Sequence, residues 1–142
     1  MERVQVPGNV FDKRAIMARG ARAVPLDVRS IYLQGVLLED PQSADLRAPG
    51  AGRLSAAVQN AAARLEVEVA PLLIASMLRL IAPRDRLVTG VDDAAELDVL
   101  PEAFEISDDV AHQFMDEIEA VTGNDPLDAV LDPRRWPQST VE

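Results

Sequence analysis

The chain has 142 residues, 48% of them apolar and only 4% aromatic, with a formal net charge of -10. That balance fits one folded domain with a core of Leu, Val, Ile and Ala, and excludes a disordered chain. The acidity argues against nucleic acid or an anionic membrane surface as the main partner, and the absence of cysteine removes disulfides, zinc–thiolate sites and thiol nucleophiles.

The opening MERVQVPGNV lacks the long apolar core of a signal peptide. No run approaches the ~18 apolar residues of a membrane span. A soluble, cytoplasmic protein is the expectation. Arg3 to Val6 reads as a short strand that Pro7 and Gly8 stop. Asp12 is placed to cap a helix through KRAIMAR, which Gly20 closes. LDVRSIYLQGVLL reads as a second strand, and residues 39 to 52 as a long connection.

A helix follows from Arg53 to Leu65, with Leu54, Ala57, Val58, Ala61 and Leu65 in one apolar stripe. Pro71 opens another, PLLIASMLRLI, whose apolar residues run nearly all round it and imply burial on several sides. DRLVTG reads as a third strand. Asp92 or Asp93 caps the helix AAELDVL, and Pro101 ends it. Ser107 caps a longer helix to Val121, with Asp108 and Asp109 at its positive end. Its predicted buried stripe is Val110, Phe114, Ile118 and Val121. Gly123 terminates it, and Asp125-Pro126 starts a last helical turn before DPRRWP. Strands alternating with helices imply parallel strands joined by helical crossovers.

Three stretches in this order resemble the C-terminal half of the aldo-keto reductase family. VQVPGNVFDKR is similar to the family's sixth barrel strand, VRSIYLQGVLL to the seventh, and LVTGVDDAAEL to the eighth strand with its following helix. The closing LDPRRW resembles the end of one bacterial branch. The resemblance covers nearly all of this chain but about half of the family's length. It implies a partial TIM (β/α)8 barrel of about three parallel strands, with crossover and C-terminal helices. The C-terminal strand ends of such a barrel face the active site.

On this match Gln5 and Arg29 lie by the nicotinamide, Arg29 replacing the ring that usually stacks on it. Ser30 stands beside it, Tyr32 and Gln34 fall where the pyrophosphate is held, and Gly35 permits close backbone approach. Gly90 closes the eighth strand. The family then usually carries a basic residue for the 2′-phosphate of NADP; here Asp92 and Asp93 follow. Carboxylates repel that phosphate and accept hydrogen bonds from a free ribose hydroxyl, so NAD is favoured over NADP. Both residues also suit helix capping. Glu96 matches a Gln position near the adenosine, while Val99 and Leu100 replace polar family residues.

The family's catalytic Asp, Tyr, Lys and His come from the other half of its barrel, and none matches a position here. The only Lys is Lys13, the only Tyr is Tyr32, and the only His, His112, lies off the apolar stripe of its helix. General acid chemistry needs a tuned donor near the substrate oxygen, and this chain supplies none. Acidic pairs such as Glu39-Asp40 and Asp108-Asp109 lack neighbouring His or Cys and read as surface or capping residues, so no metal site is expected. Arg134-Arg135 beside Trp136 reads as a tail packing across the barrel, and less as an anion site.

A full barrel takes ~250 residues. Three strands alone leave two unpaired edges and an exposed apolar face. The chain is therefore expected to be completed by an N-terminal reductase half, to pair with itself, or to close as a small module that no longer catalyses. The first reading is the cofactor-binding half of a carbonyl-reducing enzyme. The alternative is a non-catalytic remnant acting by association, with or without a bound nucleotide.

Overall fold

Three short strands, β1 (Val4–Pro7), β2 (Leu26–Arg29) and β3 (Arg86–Leu87), pair in parallel in the order β1-β2-β3. A computed structural model describes residues 2–19, 24–123 and 127–138. Gly20 and the pair Asp125-Pro126, assigned above to helix ends, lie outside the described residues. The α-helices among the described residues are α1 (Arg14–Ala18), α2 (Pro41–Arg47), α3 (Ala51–Leu65), α4 (Val69–Leu80), α5 (Val99–Glu105), α6 (Asp108–Thr122) and α7 (Asp128–Leu131). The architecture is α/β, with parallel strands and helices in the crossovers, as the alternating pattern implies.

The core lies between one face of the sheet and the helices. Leu26 and Val28 of β2 point into it and are buried, with Ile31, Leu33, Val36 and Leu37 beyond them. Leu54, Val58 and Ala61 of α3 meet Phe114 and Ile118 of α6 in the same cluster. In α4 every residue from Pro71 to Met77 is buried, as an all-round apolar helix requires. His112 is exposed on α6, clear of this core. No helix among the described residues is long and apolar enough to cross a membrane.

The other face of the sheet is open but polar, not apolar as expected. Successive residues point to opposite sides, so Gln5, Pro7, Asp27, Arg29 and Arg86 share this face through the register Gln5–Asp27, Pro7–Arg29 and Asp27–Arg86. The Arg3 guanidinium donates to Asp27 Oδ1 at 2.7 Å there.

Several elements differ from expectation for identifiable reasons. The second strand ends at Arg29, and the apolar residues after it fold into a wound turn and a 3-10 turn, Val36–Leu38. A short apolar run reads alike in either conformation. The connection 39–52 contains α2, started by Asp40, whose side chain accepts from Ser43 N at 3.0 Å, with Pro41 at the first helical position. Lys13, not Asp12, stands at the N-cap position of α1, yet the Asp12 carboxylate accepts from the first helical amide, Arg14 N, at 3.3 Å and from the Arg14 side chain at 2.8 and 2.9 Å.

α4 begins before Pro71. Pro101 sits in the first turn of α5 and does not end a helix, because a first-turn amide has no helical acceptor to lose. The third strand is only two residues long, extended by Val88 N donating to Val28 O at 2.8 Å. Val121 is 52% exposed, so the α6 stripe is Ala111, Phe114 and Ile118, with Val110 half-buried. Ser107 does cap α6, accepting from Val110 N at 3.2 Å, and Gly123 closes it at φ 50°.

Candidate functional site

The chain leaves β2 through a turn under backbone strain. Ser30 (φ 62°), Leu33 (φ 50°) and Gln34 (φ 57°) are all left-handed without being glycine, and Gly35 follows at φ 85°. Such conformations cost on the order of 1 kcal/mol or more each, and they persist where neighbours over-determine them. Ile31 and Leu33 anchor the turn in the core. Arg47 donates to Gln34 O at 2.7 Å from outside, and Leu37 N donates to Tyr32 O at 3.1 Å within. Gly35 is thus required by the turn's left-handed φ, while its own surroundings are uncrowded.

Because β2 and β3 are parallel, this turn lies beside the segment that follows β3. A cleft of ≈ 530 Å³ opens between them, in the range of small-molecule sites. Arg29, Ser30, Tyr32, Gln34, Gly90, Asp92 and Glu96 all line it. Gly90 has open space where a Cβ would stand, so no packing demands a glycine there. Ile74, Val99 and Leu100 give the cleft an apolar wall. Among the described residues Arg29 is its one cationic lining residue, and Asp92 and Glu96 are its carboxylates.

Local bonding divides the acidic pair. Asp93 Oδ1 accepts from Glu96 N at 3.1 Å, capping the 3-10 turn Ala94–Asp98, and it does not line the cleft. Asp92 does line it, and its amide donates to Glu96 Oε2 at 2.8 Å. Gln5 also stays away from the cleft. It sits two residues before the end of β1, on the open face opposite Asp27, because β1 runs on to Pro7.

Tyr32 is half-buried, and Thr89 stands beside it in the cleft lining. Burial pushes its phenol above the ordinary value, Thr89 offsets part of this, and the Glu96 charge adds to the rise. That is the wrong direction for a proton donor at neutral pH, and Lys13 is spent on Glu119 at 2.7 Å. Among the described residues no cluster of three or more His, Asp or Glu could hold a metal. Sequence reasoning missed Thr89, although its place beside Gly90 at the end of a predicted strand pointed to the same rim. No protein-family model, no curated protein and no solved structure matches this chain.

Proposed function

We propose that the chain is the cofactor-binding half of an aldo-keto reductase-like oxidoreductase. Its strands would be the sixth to eighth of a TIM barrel. Completed by a catalytic N-terminal half, it would pass a hydride from nicotinamide to an aldehyde or ketone. The supporting observation is that seven residues matched to a dinucleotide site, from the two separate segments 29–34 and 90–96, line one cleft at the C-terminal ends of parallel strands. Ligands of parallel α/β sheets bind at that end. Asp92 at the cleft favours a free ribose hydroxyl over a 2′-phosphate.

Titration of the purified chain with NADH and NADPH, followed by nucleotide fluorescence, tests this. NADH is expected to bind more tightly than NADPH, and Asp92→Ala is expected to narrow the difference. Failure of both nucleotides to bind, even with a reductase N-terminal half added, would sink the proposal.

The second reading, a small module that closes on itself and no longer catalyses, draws on the open sheet face. In a complete barrel that side would face the interior. Here Gln5, Arg29, Arg86 and the Arg3–Asp27 pair suit it to water without any partner.

A further inference from the structure

A second cleft, of ≈ 710 Å³, lies on the other side of the 30–34 turn, between the turn after β1 and the segment from Asp128 to Arg135. Four guanidiniums line it. Two are neutralised. Arg14 bonds Asp12 and also Asp128 at 2.9 Å, and Arg134 takes both oxygens of Asp132 at 2.8 and 2.9 Å. The other two, Arg29 and Arg135, have no carboxylate partner among the described residues. Arg29 bonds only the Ser30 hydroxyl, at 3.2 Å. Arg135 adds to the field at Asp132, but Arg134 already holds that carboxylate.

This arrangement runs against the composition. Acidic residues outnumber Lys and Arg by 24 to 14, so carboxylates are plentiful. Arg3, Lys13, Arg14, Arg19, Arg47, Arg64, Arg79 and Arg134 all find one, while the exposed Arg84 and Arg86, which stand apart from the cleft, do not among the described residues. Asp12, Asp128 and Asp132 line the concavity against its four guanidiniums, an excess of one positive charge, and the two guanidiniums without a carboxylate partner are where that demand for negative charge falls. A guanidinium offers paired N–H donors that match a carboxylate or a phosphate in two-point contact. The Ser30 hydroxyl and the Gln34 amide on the same wall add neutral donors.

We infer that this second cleft binds the anionic head of a small molecule, a phosphate or a carboxylate, between Arg29 and Arg135. The site stands on its own charges and needs no dinucleotide in the first cleft. Arg135 does not line that first cleft, so the two sites separate by mutation. Arg29 lines both, which places the anion beside whatever the first cleft holds.

The single tryptophan, Trp136, follows Arg135 directly and is tied down by its indole N–H donating to Val130 O at 2.8 Å. Its fluorescence reports the site without a label. Inorganic phosphate and malonate are titrated in separate arms against sodium chloride of matched ionic strength, with thermal stability followed in parallel. A saturable change in at least one arm is expected, and the responding arm names the head group. Arg135→Gln and Arg29→Gln, both at exposed positions, are each expected to weaken it by about tenfold or more. Arg86→Gln, an exposed arginine outside the cleft, is expected to leave it intact. A response no different from chloride, a response that never saturates, or one unchanged in Arg135→Gln overturns the site.

Discussion

At the scale of single residues, the turn after β2 concentrates the chain's unusual backbone. Of the three non-glycine residues with positive φ between Ser30 and Gln34, Ser30 and Gln34 line both clefts and Leu33 lines the second. Gln34 is exposed, so its replacement loses little packing. Gln34→Gly is expected to raise stability by up to ~1 kcal/mol, because glycine accepts the left-handed conformation. Gln34→Val is expected to lower it by about as much, since a β-branched residue resists that region most. Urea unfolding measures both, and the reverse order would show that the turn is not strained. The polar residues here were legible in the sequence as interruptions of an apolar run. Their φ values were not, since nothing in Ser30, Leu33 or Gln34 asks locally for a left-handed backbone. The separate fates of Asp92 and Asp93 were likewise hidden: two adjacent carboxylates look alike until one amide claims one of them.

At the scale of elements, carboxylates tie neighbouring segments together. Asp85, ahead of β3, is 9% exposed. Its oxygens accept from Leu26 N at 2.9 Å and Ala82 N at 2.8 Å, and from the Arg19 side chain. Burial pushes this carboxyl up, but the two amides and Arg19 outweigh it and hold it below the ordinary range. A depressed folded-state value stabilises the fold above the unfolded carboxylate's ~3.9 and ceases to do so as pH falls through the folded value. Asp85→Asn is expected to cost about 2–3 kcal/mol at pH 7, through one orphaned amide and an unpaired Arg19. The gap to the native chain should narrow on acidification below about pH 4; a constant gap by urea unfolding would contradict the charge assignment. Asp45 plays a similar part between α2 and α3, accepting from Gly50 N and Gly52 N at 2.9 Å each. A Cβ on Gly52 would meet Pro41 O at 2.6 Å, so that helix contact needs a glycine. The Asp40-Pro41 start of α2 is present in the sequence, but the same residues also mark loops, so sequence alone does not separate the two.

At the scale of the whole molecule, charge is unevenly spread. Asp92, Asp93, Glu96, Asp98, Glu102, Glu105, Asp108, Asp109, Asp116, Glu117 and Glu119 follow one another with no Lys or Arg between them. Cations from elsewhere reach this stretch, Arg79 to Asp108 and Lys13 to Glu119, at 2.7 Å each, and Arg64 to Glu117. They hold α6 against the body, yet the carboxylates of this stretch outnumber the cations seen to reach it among the described residues. Exposed pairs contribute little each, so screening should relieve more repulsion than attraction. Moderate sodium chloride is therefore expected to raise the melting temperature, and a fall would mean that the ion pairs dominate. The order of the strands, their parallel sense and the α3 stripe were determined by the sequence alone, because periodicity acts over a few residues, whereas α2 and the end of the α6 stripe were not. Only the tertiary structure decided that the open sheet face is polar and that Gln5 and Asp93 stand apart from Asp92. It also decided that Arg29 and Arg135, more than a hundred residues apart, share a cleft. Those outcomes depend on register, turn geometry and the competition for each carboxylate, which only the folded chain resolves.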